Sequence, residues 1–210
     1  MTTTVARSTS NIRTKTQQRN ERAMSKELSG KRIAFLVANS GVEQVELTGP
    51  WQAVKDAGGE PVLIAPEKDT VQALNDDIEI GDTFEPDLAV ADASAADFAA
   101  LVLPGGVASP DKLRLVTEAM EFVKAFAAAG KPIAAICHGP WSLVETGLVR
   151  GKTLTSWPSL QTDIRNAGGQ WLDSEVFVCP AEGFDLVTSR KPDDLDAFDK
   201  ALVSTFAKTG

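Results

Sequence analysis

The sequence predicts an α/β protein: a doubly wound, mostly parallel sheet sandwiched by helices, with a nucleophile elbow at its centre. Three observations predict it. Short continuous apolar runs read as strands buried on both faces: Arg32-Ile33-Ala34-Phe35-Leu36-Val37, Pro61-Val62-Leu63-Ile64-Ala65, Phe98-Ala99-Ala100-Leu101-Val102-Leu103 and Ile133-Ala134-Ala135-Ile136. Segments of helical spacing alternate with these runs, which implies right-handed crossovers and parallel pairing. The last of the four runs ends in Cys137-His138-Gly139-Pro140 and passes at once into a helical pattern of Trp141, Leu143, Val144 and Leu148.

Taken in order, the first strand covers 32–37 and is followed by a turn at Asn39-Ser40-Gly41. A helix over Glu46 to Ala57 carries Leu47, Trp51, Val54 and Ala57 on one face and stops at Gly58-Gly59. The second strand is 61–65. The acidic stretch 66–90 reads as a hairpin or an irregular excursion. The strand at 98–103 ends in Pro104-Gly105-Gly106. A helix over Leu115 to Ala129 shows Val116, Ala119, Met120, Val123 and Phe126 on one face. Beyond the elbow come Lys152-Thr153-Leu154-Thr155, a helix over 159–166, and two or three late strands marked by Trp171, Val176, Val178, Leu186 and Val187. Pro192-Asp193-Asp194 opens a last helix reaching Phe206, with Ser189 or Asp193 as its cap.

Residues 1–28 differ in composition. They are rich in Thr, Ser, Gln, Asn and Arg with few large apolar side chains, and read as a disordered tail before a single domain at 29–210. Met24 lies just before the ordered pattern, and a start at that codon would account for the tail. The chain has 210 residues, 43% of them hydrophobic, and a formal net charge of −8, which argues against a general nucleic-acid binder. No apolar run approaches a membrane span. Two cysteines make no disulfide framework, so a reducing cytoplasm is the expected setting.

The elbow concentrates the chemistry. A strand that turns abruptly into a helix forces its turn residue into a tight conformation and lifts the side chain clear of the sheet. At a helix N-terminus the Cys137 thiol is expected to lose its proton readily, and the thiolate is the reactive form. His138, the only histidine, adjoins it. Gly139 lets the backbone pass closely, and Pro140 suits the first helical position. In an open α/β sheet, ligands bind beyond the carboxyl ends of the strands, so the loops 39–46, 104–111 and 137–141 should converge. The backbone amides of Gly105 and Gly106, with that of His138, suit an oxyanion hole for a carbonyl attacked by Cys137. Glu43 and Glu46 read as first-turn acids, Asp111 as a helix N-cap, and Cys179 as structural.

Ala135-Ile136-Cys137-His138-Gly139-Pro140 resembles the elbow of the DJ-1/PfpI superfamily, and of its PfpI-like (intracellular protease I) branch in particular. The resemblance extends over about residues 31–207, through Gly151-Lys152, Asn166-Ala167-Gly168 and Thr188-Ser189-Arg190-Lys191-Pro192-Asp193-Asp194-Leu195. It implies a flavodoxin-like, class I glutamine amidotransferase-like fold. It implies that Gly106 supplies an oxyanion donor and that Glu43 is the glutamate whose carboxyl hydrogen-bonds the cysteine. It also implies that Asp111, where some members carry Glu, orients His138 from a neighbouring subunit, so that activity needs a homodimer or higher oligomer. Trp141 departs from members with a polar residue there and is expected to narrow the mouth or favour an apolar substrate group.

Three functions follow from the resemblance. The first is cysteine-dependent chemistry on reactive carbonyls, glyoxalase III-like or deglycase-like, in stress protection. The second is a peptidase of the PfpI type, and the third a non-enzymatic stress chaperone or redox sensor. The expected ligand is a small carbonyl compound or a peptide, with no nucleic-acid scaffold, no membrane and no cofactor. One histidine and two distant cysteines make no usual zinc set, and no Gly-rich phosphate loop follows the first strand.

Overall fold

Alternation along each buried strand decides the layering. Successive side chains on a strand point to opposite faces. Ala34, Leu36, Leu101, Leu103, Ile133 and Ala135 enter one apolar core, and Ile33, Phe35, Ala100, Val102, Ala134 and Ile136 enter the other. A sheet of such strands is covered on both sides, which the computed structural model, describing residues 27–209, bears out.

The strands are β1 (Arg32–Leu36), β2 (Ser40–Glu43), β3 (Glu60–Ala65), β4 (Val71–Asn75), β5 (Glu79–Phe84), β6 (Leu88–Ala89), β7 (Ala100–Leu103), β8 (Ile133–Ile136), β9 (Thr153–Leu154), β10 (Gln170–Trp171), β11 (Val176–Cys179) and β12 (Leu186–Ser189). The helices are α1 (Gln44–Asp56), α2 (Ala108–Leu113), α3 (Thr117–Ala128), α4 (Pro140–Glu145), α5 (Gln161–Asn166) and α6 (Leu195–Ala207). A seven-stranded sheet runs β11-β12-β8-β7-β1-β3-β6. Its pairs are parallel except β11 with β12. Helices α3, α4 and α5 pack on one face through Phe122, Phe126, Leu143 and Ile164. Helices α1 and α6 pack on the other through Leu47, Val54, Phe198, Leu202 and Phe206.

The structure departs from the sequence reading in four places, each through tertiary pairing. The turn at 39–41 is short, because Ser40–Glu43 is a strand: β2 pairs in parallel with β4, which pairs antiparallel with β5. The excursion at 66–90 therefore folds back as a hairpin over the end of β1. A short helix, α2, precedes α3, and Asp111 lies inside it, so it is not an N-cap; that position is Val107, without a side-chain bond. Neither Ser189 nor Asp193 caps α6. Asp193 pairs with Lys191, and Asp194, at the N-cap position, holds Arg190 at 2.8 and 3.0 Å. Leu28, assigned to the tail, is buried and donates its amide to Ala57 at 2.9 Å. The rest of the tail expectation, residues 1–26, lies outside the described residues.

Phe198 is fully buried between α6 and the sheet. Phe198→Ala should lower unfolding free energy by about 3–5 kcal/mol in denaturant melts. Leu115→Ala, at a residue 83% exposed, should change it by less than about 0.5 kcal/mol.

Candidate active site

Cys137 ends β8 with φ at 59°, a left-handed conformation that non-glycine residues rarely adopt. Neighbouring elements hold it there. Its amide donates to Ser189 at the end of β12 at 3.1 Å, and its carbonyl accepts the Trp157 amide at 2.9 Å. Gly139 follows because a Cβ there would fall 2.9 Å from the Ile136 carbonyl oxygen and strike the Leu103 carbonyl. The expected tight elbow is present.

The sulfur has four polar neighbours. His138 Nδ1 is 3.2 Å from Sγ. The backbone amides of Gly106 and His138 are directed at the sulfur, and the Glu46 carboxyl is its side-chain partner. Glu46 sits in the first turn of α1 and is fully buried. Its Oε2 accepts the Gly105 amide at 3.0 Å. Its Oε1 has no nitrogen or oxygen partner, which leaves the thiol as what this carboxyl meets. Gly105 must be glycine, since a Cβ would lie 2.5 Å from Glu46 Oε2 and 2.6 Å from Cys137 Cβ.

These positions correct the sequence reading at several residues. Glu46, read as a plain first-turn acid, holds the place expected of Glu43. Glu43 ends β2, and its two carboxyl oxygens accept the amides of Asp76 and Asp77 at 3.2 and 3.1 Å. Both glutamates line the same cavity of about 310 Å³, with Asp76, Asp77, Gly106, Cys137, Trp157 and Pro192. The Gly105 amide is spent on Glu46, so the free donors facing the sulfur are those of Gly106 and His138. Trp141 does not line this cavity. Its Nε1 donates to Asp163 at 2.9 Å, and its ring packs 5.1 Å from the His138 ring. The aromatic wall is Trp157, stacked on His138 at 5.9 Å. No periodicity marked Trp157; only the return of its amide to the Cys137 carbonyl places it.

His138 is buried, with Nε2 3.4 Å from Ser159 Oγ. Asp111 is exposed on α2, and the hydrogen bonds of the His138 ring within the chain are to Cys137 and Ser159. Cys179 lies buried at the end of β11 and accepts the Thr153 amide at 3.3 Å. Among the described residues no group of three or more His, Cys, Asp or Glu could hold a metal ion, and no helix is long and apolar enough to cross a membrane.

Burial governs the protonation of the site. It pushes the Cys137 thiol up, and a charged Glu46 pushes it further, against the Gly106 and His138 amides. The expected lowering from a helix N-terminus does not prevail, because burial is the largest influence on the thiol. Burial also raises Glu46 to about 8. At neutral pH Glu46 therefore keeps its proton and can donate it toward sulfur, and the thiol and carboxyl titrate as one unit. Burial lowers His138, so its imidazole is neutral.

The DJ-1/PfpI family matches residues 31–205. The chain is 41% identical over 172 residues to a Bacillus subtilis protein, YraA, named as a candidate cysteine protease, covering 81% of this chain and 95% of that one. It is 37% identical over 172 residues to the deglycase PfpI of Pyrococcus furiosus, covering 82% and 97%. Among solved structures, Drosophila melanogaster DJ-1beta superposes with a TM-score of 0.73 at 26% identity, covering 86% of this chain and 91% of that one.

A carboxyl raised from 4.5 to about 8 holds its proton longer when folded than when unfolded. Its stabilisation is complete below about pH 4.5 and is lost as pH rises through 8. Glu46→Gln keeps an acceptor for Gly105 without the charge. The variant's melting temperature should fall several degrees less than wild type between pH 5 and 8.5. Asp199, raised to about 7 by burial, titrates in the same window, so the difference from wild type is the quantity to read. Iodoacetamide labelling of Cys137 should lose its inflection near pH 8 in Glu46→Gln and keep it in Glu43→Gln. The reverse pattern would return the role to Glu43.

Proposed function

The chain belongs to the DJ-1/PfpI family, and from that premise we propose that it is a cysteine-dependent enzyme acting on small reactive carbonyl compounds, glyoxalase III-like or deglycase-like, with Cys137 as nucleophile. The observation that carries this reading is the setting of the sulfur: a nucleophile in the left-handed elbow conformation, at the side of a small cavity, against a buried carboxyl and two backbone amides. In this reading Sγ adds to the carbonyl carbon, and the π electron pair moves to oxygen. The amides of Gly106 and His138 stabilise the developing charge. The proton shared by Cys137 and Glu46 ends on that oxygen, giving a thiohemiacetal.

For a 2-oxoaldehyde, loss of the aldehyde-carbon hydrogen as a proton and its return to the neighbouring carbon, with the hydroxyl proton passing to the neighbouring oxygen, converts the thiohemiacetal to a thioester. Neutral His138 is the base at hand, and protonated Glu46 the acid. Water then hydrolyses the thioester to a 2-hydroxy acid and the free thiol. The deglycase-like course begins with the same addition to a carbonyl adduct on an amino group. The cavity volume suits such compounds better than an extended peptide. The name of YraA keeps the peptidase reading as the alternative, and the stress chaperone or redox sensor is the non-enzymatic one.

We assign the orientation of His138 to Asp111 of a second copy. A neutral imidazole beside its own cysteine needs a group to fix its tautomer, and Ser159 Oγ at 3.4 Å is a long contact.

Methylglyoxal, a glycated peptide and casein, assayed side by side, should show turnover of the carbonyl substrates by wild type and only background with Cys137→Ala. Cleavage of casein alone would favour the peptidase, and no turnover at all the non-enzymatic role.

Asp111→Ala should lower turnover at least tenfold without a change in melting temperature. Mixed with inactive Cys137→Ala after subunit exchange, it should regain part of the activity. A fully active monomer in sedimentation would remove Asp111 from the site.

A further inference from the structure

The turn that joins β4 to β5 stands over the Cys137 cavity, and its chemistry is unusual. Asn75-Asp76-Asp77-Ile78 closes with the Ile78 amide on the Asn75 carbonyl at 3.2 Å. Asp76 and Asp77 both have positive φ, 52° and 61°, the signature of a type I′ hairpin turn. Two features lock it against the site. Glu43 takes both central amides, and Asp77 Oδ1 accepts the Val107 amide at 2.6 Å. The two aspartate side chains are exposed at the mouth while lining the cavity.

Among the described residues no lysine or arginine lines that cavity. Nearby cations are engaged elsewhere: Lys112 with Ser40, Arg190 with Asp173 and Asp194, Lys191 with Asp193. Trp157 also lines the cavity, an aromatic ring of the kind that attracts cations. Deeper in, the fully buried Glu46 lines the same space, its Oε1 without a nitrogen or oxygen partner and, protonated, able to donate to the thiol or to a ligand's carbonyl oxygen. Asp77 is close enough to act electrostatically on Glu43, Glu46 and His138. An entering molecule therefore meets exposed carboxylates, an aromatic ring and the buried carboxyl of Glu46.

We propose that Asp76 and Asp77 make the mouth of this cavity a charge filter, admitting cationic and neutral carbonyl compounds and excluding carboxylated or phosphorylated ones. The substrate class is thereby narrowed to neutral aldehydes and to carbonyl adducts on ammonium- or guanidinium-bearing molecules, and glycated nucleotides are disfavoured. The narrowing of substrate rests on the carbonyl reading above; the filter itself does not.

The test reads the filter without turnover. Methanethiosulfonates carrying a trimethylammonium, a sulfonate or only a methyl group react with Cys137, followed by peptide mapping. The cation-to-anion rate ratio, divided by that of a short cysteine peptide, should exceed about ten at low salt. It should fall several-fold in about 0.5 M salt, where screening is strong. The double variant Asp76→Asn, Asp77→Asn removes charge alone, because Asn tolerates the left-handed region and its Oδ1 still accepts from Val107. Its ratio should drop to within twofold of the peptide. A wild-type ratio near one, or a ratio unchanged in the double variant, would overturn the filter. If the double variant fails to fold, the wild-type ratio and its salt dependence decide. In a parallel arm, wild type should prefer methylglyoxal to glyoxylate by kcat/KM, and the double variant should narrow that preference. A chain that turns over neither would fail the carbonyl reading, and the labelling ratio alone would then uphold or overturn the filter.

Discussion

Everything in the site depends on one backbone conformation, the positive φ of Cys137. Holding a cysteine there costs about 1–3 kcal/mol, which the surrounding sheet must supply. It does so through bonds that close only when three regions of the chain have met. Ser189, at the end of β12, accepts the Cys137 amide, Trp157 donates to its carbonyl, and the end of β7 leaves room for Gly139 and no more. The central strands are apolar on both faces, so the sheet that imposes the strain is itself fixed by two cores. The sulfur is thereby aimed out of the sheet, toward the cavity.

A second constraint is the burial of a carboxyl beside a thiol. Two acidic groups in low dielectric cannot both ionise, so burial converts what looks like a cluster of negative charge into a proton store. Gly105 and Glu46 are matched to this. The glycine leaves space for the carboxyl, and its amide binds one oxygen and fixes the direction of the other. The exposed carboxyls of the cavity lie outward of Glu46, on the Asp76-Asp77 turn. Depth therefore separates the acids of one cavity, a buried carboxyl near the sulfur and exposed ones at the mouth.

Burial keeps His138 neutral, with its ring packed against those of Trp141 and Trp157. Aromatic faces exclude water from the ring and disfavour the imidazolium. A neutral imidazole beside the sulfur can accept a proton without first losing one, which suits a base paired with a protonated carboxyl.

The strands, the crossover helices and the elbow were legible in the sequence, because each is written in local periods: continuous apolar runs, helical spacing, and Cys-His-Gly-Pro at a strand end. Cys137 and His138 were legible for that reason, and Gly106 through the Pro-Gly-Gly turn. The choice between Glu43 and Glu46 was not. Both lie within one turn at the start of α1, and which one faces sulfur depends on Ser40–Glu43 becoming a strand, a fact fixed by pairing with residues 71–75. Likewise, nothing local distinguishes Trp157 from Trp141, or marks Asp76 and Asp77 as part of the mouth. Those assignments follow from a hairpin and a loop folding back across the sheet. Local pattern determined which residues form the scaffold and its nucleophile. Long-range pairing, which carries no local period, decided which carboxyl holds the proton, which ring makes the wall, and which charges guard the entrance.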